Sequence, residues 1–220
     1  MPQLLDLLPS LLKGLQVTLI VTAGGAVVAS LAAFAAGLAR LSRHLWVRFA
    51  ALVYIDVFRG TSALVQLFWA YFALPLLGVK LDPMTVGIVV LGLNIGAYGA
   101  EVVRGAIQAV PVGQREAAIA LNFSGRQTMW RIVLPQAALS MLPPFGNLLI
   151  ELLKSTALVS LITLSDLTFE AQLLRSATLR SAEIFTLVLI IYFLVALCIT
   201  YGMRWLERRL AVGRDYGGVR

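Results

Sequence analysis

The sequence has few charged residues and almost none of the side chains that usually build a catalytic site. Only 13% of its 220 residues are charged, and it has one histidine, His44, and one cysteine, Cys198. A single cysteine excludes an intrachain disulfide, and a lone histidine leaves no zinc-type ligand pair. The chain also has no Gly-x-Ser-x-Gly turn and no phosphate-binding glycine loop. We therefore expect no enzymatic activity, no metal and no cofactor on this chain.

Apolar sequence fills most of the chain. Hydrophobic residues make up 60% of it, against roughly half of an ordinary soluble domain. Five stretches contain no Asp, Glu, Lys, Arg or His, and each has about 18 residues or more, enough for a helix to cross a bilayer core of roughly 30 Å. The five stretches are residues 14–39, 60–79, 83–100, 132–150 and 184–203.

These stretches predict an all-α integral membrane protein of about five transmembrane helices. We extend the second span back to Arg48, because residues 49–58 are apolar apart from Asp56. Too few residues are left over for another domain, so we expect a single transmembrane domain over residues 1–220. The predicted spans lie near residues 14–39, 48–76, 83–107, 132–153 and 184–205.

Basic residues give the chain a formal net charge of +7, but they are scattered singly between apolar runs, so we expect no nucleic-acid partner. They collect in the connections on one side of the five spans, which in membrane proteins is the cytoplasmic side. The basic residues of that side are Arg40, Arg43, Arg48, Arg115, Arg126, Arg131, Arg204, Arg208, Arg209, Arg214 and Arg220. This bias predicts an outside N-terminus and a cytoplasmic C-terminus.

Residues 154–183 are too polar and too broken for a sixth span, and we expect them on the outer side of the membrane. Within this segment, Ser165 or Asp166 is a candidate N-cap for a short helix through residues 167–174, because both side chains accept hydrogen bonds from first-turn amides.

The longest polar interruption, residues 111–135, reads PVGQREAAIALNFSGRQTMWRIVLP. Residues 114–121 favour a helix, and Asn122 and Gly125 favour a break after it. We therefore predict a helix, a turn and a second helix on the cytoplasmic face, at residues 111–131.

Two further features of this loop point to a structured element with a partner. Ser124 and Gln127 have the spacing of a capping box, which would start the second helix. A connection that only joins two spans needs a few residues, so two dozen ordered residues imply that another protein binds there.

The same loop resembles a known motif. It is similar to the EAA motif in permease subunits of ATP-binding-cassette (ABC) importers, and the matching residues are Glu116, Ala117, Ala118, Ile132, Leu134 and Pro135. The motif's usual glycine, six residues after the Glu, is Asn122 here, which also tolerates a left-handed backbone.

The resemblance covers nearly the whole chain and is closest to the polar amino-acid uptake branch of these permeases. Three blocks are similar to that branch: FRGTSALVQLFWAYFALP (residues 58–75), NIGAYGAEVVRGAIQAVPVGQ (94–114) and LPPFGNLLIELLKSTALVSLITLSDLTF (142–169). Within the branch, the blocks are most similar to a permease subunit of the ectoine and hydroxyectoine importer.

The resemblance implies a type I ABC importer (MetI-like) permease fold in a bacterial inner membrane. It also implies that the loop forms a coupling helix in a groove of an ATPase subunit. Glu116 would pair there with a basic residue, Ala117 and Ala118 would permit close approach, and Asn122 and Gly125 would form the turn.

The expected partners are an ABC ATPase dimer, which carries ATP and Mg, a second permease subunit that is a different chain, an extracytoplasmic solute-binding protein and the lipid bilayer. The expected function is alternating-access import of a small polar amino acid or derivative, with ectoine or hydroxyectoine favoured.

Charged and amide side chains inside spans are candidates for the substrate pathway, because they are costly to place in hydrocarbon. The candidates are Arg59, Asn94, Glu101, Asn147 and Glu151. From the helical rise, Arg59 and Asn94 lie near the midplane, where with Asn147 they would bind a zwitterion. The structural alternative is that opposite charges neutralise each other along their helices, in the pairs Asp56–Arg59, Glu101–Arg104 and Glu151–Lys154.

The sequence leaves two alternatives to the importer: a secondary transporter or channel subunit that needs no ATPase, and a structural or assembly protein. A secondary transporter or channel would not require the loop at residues 111–135. For Glu116, the alternative to a coupling contact is a solvated surface residue on a short helix.

Overall fold

The computed structural model describes residues 8–211, apart from the side chain of residue 211, and these residues are helical almost throughout. Asp6, and the predicted cytoplasmic residues Arg214 and Arg220, lie outside the described residues. The helices are α1 (Leu8–Ala39), α2 (Leu45–Gly60), α3 (Ala63–Phe68), α4 (Pro83–Ala109), α5 (Val112–Ala120), α6 (Gly125–Thr128), α7 (Leu134–Ser155), α8 (Leu167–Thr178) and α9 (Ser181–Ala211).

Short π- and 3-10-helical turns extend three of these helices. A π turn at Trp69–Ala73 and a 3-10 turn at Leu74–Leu77 continue α3. A π turn at Met129–Val133 joins α6 to α7, and a 3-10 turn at Thr156–Ile162 follows α7. The segment from α6 to the end of the last turn therefore runs as one long apolar helix.

Four helical segments are long and apolar enough to cross a membrane. They are Leu8–Ala39, Pro83–Ala109, Gly125–Ile162 and Ser181–Leu210. The pair Leu45–Gly60 and Ala63–Leu77 passes the same test as a unit but is bent by 104°. The sequence prediction of about five spans agrees with this count when the bent pair crosses as one.

The bend in the second span is the main departure from the continuous helix predicted over residues 48–76. Thr61 and Ser62 leave the helical conformation, with ψ of 154° and 133°. The Gln66 side chain binds two carbonyls at the break: its Nε2 donates to the Phe58 carbonyl at 3.0 Å and to the Thr61 carbonyl at 3.3 Å. The same nitrogen also contacts the Thr61 hydroxyl oxygen at 2.7 Å. An amide placed one turn beyond the break therefore replaces the missing helical hydrogen bonds.

Helices α1 and α4 form the centre of the bundle, and small residues let them approach closely. A Cβ added at Gly37 would lie 2.8 Å from the carbonyl oxygen of Ala100, and one added at Gly92 would lie 2.6 Å from Cβ of Val28 and 2.9 Å from the carbonyl oxygen of Gly25. Side chains larger than hydrogen at these two positions would force the backbones apart.

Gly92 and Gly105 on α4 offer a matched pair of substitutions. We expect Gly92→Ala to destabilise the protein by about 1–3 kcal/mol through overpacking. Gly105 has no atom within 4 Å of an added Cβ, so Gly105→Ala should stabilise by about 0.5–1 kcal/mol through helix propensity alone. Thermal unfolding of both variants in the same detergent measures the difference. Equal melting temperatures would show that α1 and α4 are not in close contact.

Helix α8 lies between the last two spans and packs against the first turns of α1. The sequence offered two caps for it, and the structure uses Asp166, whose carboxylate accepts from the amides of Thr168 and Phe169 at 3.2 and 3.0 Å. Burial raises the pKa of Asp166 to about 6. The amide of Leu167 donates to Thr18 Oγ1 at 3.1 Å, which fixes the start of α8 on α1.

Candidate coupling loop and substrate pathway

The loop between α4 and α7 has the predicted helix-turn-helix structure. Helix α5 ends at Ala120, and Asn122 follows with a φ of 56°. The left-handed conformation that the sequence assigned to Asn122 is therefore confirmed. The amide of Phe123 donates back to the Ala118 carbonyl at 3.0 Å, which closes the end of the helix.

The predicted capping box at the start of α6 is also confirmed. Ser124 Oγ accepts from the amide of Gln127 at 3.3 Å, and Gln127 Oε1 accepts from the amide of Ser124 at 2.8 Å. These two bonds fix the turn, so that α5 has a defined orientation relative to the long helix that follows.

Helix α5 packs with one face and presents the other. Ala118 is completely buried, whereas Glu116 and Ala117 are exposed. Within residues 8–211, Glu116 has no hydrogen bond or ion pair to another side chain. An exposed carboxylate beside a small residue is therefore available to a partner, whereas Ala118 serves the internal packing of this chain.

Helix α5 and its C-terminal cap also expose three large apolar side chains, which the sequence analysis did not predict as functional residues. Val112, Ile119 and Leu121 are each about two-thirds exposed. Large apolar residues on a short polar helix mark an interaction surface. The available signal was the spacing of Val112 and Ile119, which lie four residues before and three residues after Glu116 and so share its face of the helix.

Two polar contacts hold α5 against the bundle. Arg115 Nη2 donates to the Ile107 carbonyl in the last turn of α4, at 2.8 Å. Gln136 Nε2, on α7, donates to Gln114 Oε1 at 3.4 Å. The loop is thus attached to both spans that it connects.

The structure brings Arg59 and Asn94 together at the bend of the second span. Asn94, which is 8% exposed, donates from Nδ2 to the Phe58 carbonyl at 2.9 Å and to Gln66 Oε1 at 3.1 Å. The Arg59 guanidinium lies 5.2 Å from the centroid of the Tyr98 ring. Both hydrogens of the Asn94 amide are used within the protein, whereas the guanidinium rests on an aromatic face.

Glu101 forms an ion-pair cluster that joins two spans. Its Oε2 lies 2.7 Å from Arg104 Nη2, which confirms the pair expected along α4, and its Oε1 lies 3.7 Å from Arg40 Nε at the end of α1. Among residues 8–211, the two other expected pairs, Asp56–Arg59 and Glu151–Lys154, do not lie within ion-pair distance. The structural alternative is therefore correct for Glu101, whereas Arg59 has no carboxylate within ion-pair distance among the described residues.

Asn147 and Glu151 lie away from the bend. Asn147 lines a groove of about 220 Å³ between α7 and α9, together with Arg204 and Glu207, and Glu151 is exposed one turn further along α7. The described part of the chain holds no group of three or more His, Cys, Asp or Glu residues suited to a metal ion.

The architecture and the loop together define a class of protein. Long apolar helices pack around α1 and α4 with a bent span beside them, and a structured polar loop between the third and fourth spans presents a free carboxylate: this is the type I permease fold of ABC importers.

Comparison with known families establishes the same conclusion. Residues 25–212 match the family of binding-protein-dependent transport system inner membrane components. The chain belongs to this family and is an ABC-transporter permease of the amino-acid importer type, a multi-span protein of a bacterial inner membrane. It is not an enzyme, because ATP hydrolysis in these systems belongs to a separate subunit. Permeases of this kind work with that ATPase, a substrate-binding protein and a second permease.

Individual relatives cover nearly the full chain. The probable amino-acid ABC transporter permease protein y4tF of Sinorhizobium fredii strain NGR234 is 49% identical over 217 residues, covering 96% of this chain and 91% of the relative. The glutamine transport system permease protein GlnP of Escherichia coli strain K12 is 37% identical over 212 residues, covering 93% and 94%. The crystal structure of an amino acid ABC transporter with histidines superposes with a TM-score of 0.87 at 34% identity, over 95% of this chain and 99% of that one.

Proposed function

We propose that this chain imports a small amino acid or amino-acid derivative by alternating access, and that α5 is the helix through which an ATPase dimer drives it. The two sequence relatives described above are named for amino-acid and glutamine transport. In this proposal the loop of residues 111–131 and the C-terminus face the cytoplasm, and the N-terminus faces the binding protein. The second permease is a different chain.

The presentation of α5 is the observation that carries the proposal. Glu116 and Ala117 are exposed and unpaired on a helix whose opposite side is anchored by Ala118 and Arg115. A carboxylate held on a rigid helix beside apolar side chains fits a groove with a basic residue, because charge complementarity sets the register and the apolar contacts supply burial. Closure of the ATPase dimer would then move α4 and α7 together.

Within the membrane, we propose that Arg59 binds the carboxylate of the solute. Its guanidinium lies at the bend of the second span, where it rests on the Tyr98 ring and has no carboxylate within ion-pair distance among the described residues. Asn94 would shape this site by fixing Phe58 and Gln66. Glu101, Asn147 and Glu151 would line other parts of the substrate pathway.

Ectoine or hydroxyectoine is the solute that we propose within this class, because of the sequence similarity of residues 58–75, 94–114 and 142–169 to an ectoine-importer permease. Ectoine carries one carboxylate and one delocalised cation, so a single guanidinium is a suitable partner for it.

Reconstitution tests the proposal and its solute. We expect the complex with its ATPase, second permease and binding protein in liposomes to hydrolyse ATP faster when ectoine is present. Ectoine should accumulate only when ATP is supplied on the side of the membrane where the ATPase subunits lie. Glutamine and arginine serve as matched solutes. Stimulation by one of these and not by ectoine would replace the substrate and keep the importer. Uptake driven by an ion gradient without nucleotide would contradict the importer itself.

A further inference from the structure

The connection between α4 and α5 has a hydrogen-bonding defect that the sequence creates. In a continuous helix, the Ile107 carbonyl would accept from the amide of residue 111. Residue 111 is Pro111, which has no N–H. Ile107 is buried in the core formed with Val103 and Val133, so water does not readily replace the missing donor, and buried carbonyls of this kind find partners in nearly all folded proteins.

Arg115 repairs the defect from the other side of the proline. Its Nη2 donates to the Ile107 carbonyl at 2.8 Å. The guanidinium also places a positive charge at the carboxyl end of α4, where the helix dipole favours a cation. Pro111 fixes one backbone angle of the connection between α4 and α5. The hydrogen bond from Arg115 to Ile107 links the two sides of this connection, eight residues apart. The end of α4 and the first turn of α5 are thereby held as one bent unit.

The position of Arg115 gives this contact a consequence for coupling. It immediately precedes Glu116, the exposed carboxylate of α5. A second polar contact between α5 and a span, Gln114 with Gln136, is longer, at 3.4 Å. Because residues 110 and 111 already join the two helices covalently, the arginine bond acts by resisting a change of angle between α5 and α4.

We propose that Arg115 is a positioning residue that keeps the bend between α4 and α5 at Pro111 rigid, so that movement of α5 is transmitted to α4 and is not lost by bending between them. The inference rests on the proposed function of α5 as the coupling helix. It adds a specific residue, acting through a carbonyl of this chain and without contact to the ATPase or the solute.

Arg115→Gln tests this role of Arg115 in the complete reconstituted complex. We expect the variant to assemble and to hydrolyse ATP, but to take up roughly tenfold less solute per ATP, a change within the range seen for residues that carry coupling between sites. Arg115→Lys keeps the charge without the planar guanidinium, so its uptake of solute per ATP should lie between those of the parent and Arg115→Gln. Arg43→Gln is the matched control, because Arg43 is exposed on the α1–α2 connection and has no hydrogen bond or ion pair within the described chain.

A distance measurement between α4 and α5 tests the rigidity of the bend directly and independently of transport. Spin labels at Gly105→Cys on α4 and Ile119→Cys on α5, in a Cys198→Ser background, are accessible because an added Cβ at Gly105 meets no atom within 4 Å and Ile119 is 68% exposed. We expect a narrow distance distribution with Arg115 and a broad one with Arg115→Gln.

Two outcomes would overturn the inference. The first is a normal ratio of uptake to hydrolysis in Arg115→Gln together with an unchanged distance distribution. The second is dissociation of the ATPase from that variant, which would make Arg115 a contact to the partner. Either result leaves the proposed function intact as long as Glu116→Arg still uncouples the importer, so the two failures are distinguishable.

Discussion

Reversing the charge of Glu116 with arginine is expected to leave membrane insertion and the helical bundle intact and to abolish ATP-coupled uptake. The side chain is exposed and unpaired within the described chain, so its replacement removes no internal contact. Placing a cation against a basic residue of the ATPase groove should cost about 2–5 kcal/mol of association, a weakening of roughly 30-fold or more. Co-purification of the ATPase and solute uptake in liposomes measure both effects.

The charge itself, and not the shape of the side chain, should account for this loss. Glu116→Asp keeps the carboxylate and should retain most of the uptake, whereas Glu116→Gln should give an intermediate value. Exchanging the charge of the facing basic residue on the ATPase should restore binding to Glu116→Arg. Normal coupled uptake in Glu116→Arg would contradict the proposed role of α5, and failure of all three variants to insert would place Glu116 in the fold instead.

The local structure of this loop was predictable because each of its features depends on nearby residues. The cap at Ser124 needs only Gln127 three residues later, and the left-handed turn needs only a residue such as Asn122 that tolerates it. Span positions were predictable for a similar reason, since the length of an apolar stretch alone decides whether it can cross hydrocarbon.

The contacts that the sequence did not predict form only where the chain bends or where another helix packs against it. The 104° bend in the second span depends on Gln66 and on Asn94, which lies on another helix and donates to the Phe58 carbonyl. No local pattern at Thr61 or Ser62 indicates a break of that size. The sequence identifies Arg115 only as a basic residue of the predicted cytoplasmic side, because its bond to the Ile107 carbonyl forms only when the chain turns at Pro111.

The bend changes how the substrate pathway is understood. A straight span would place Arg59 near the midplane by helical rise alone, with Asp56 one turn away on the same face. In the structure, Arg59 instead lies in the last turn before the break and rests on Tyr98, and its charge is not cancelled by Asp56. A guanidinium without an ion-pair partner at an interrupted helix in a membrane is a costly arrangement, which favours a functional role for it.

Arg59→Ala is therefore expected to reduce solute uptake at least tenfold. A tenfold change corresponds to about 1.4 kcal/mol, and the loss of a charge-assisted contact to a carboxylate usually costs more than this. Basal ATP hydrolysis and assembly of the complex should stay within about twofold of the parent. Arg59→Lys should recover part of the uptake, because the ammonium attracts a carboxylate without binding it in a bidentate manner.

Arg48→Ala is the matched control for this experiment, because it removes the same charge from the other end of α2, where the arginine is exposed and makes no ion pair within the described chain. We expect this control to transport normally. The decisive comparison is the apparent affinity for the solute, measured from the concentration dependence of uptake at saturating ATP. A fall in uptake with an unchanged concentration dependence would assign Arg59 to the stability of the bend. Unchanged uptake in a normally assembled complex would exclude Arg59 from the substrate pathway.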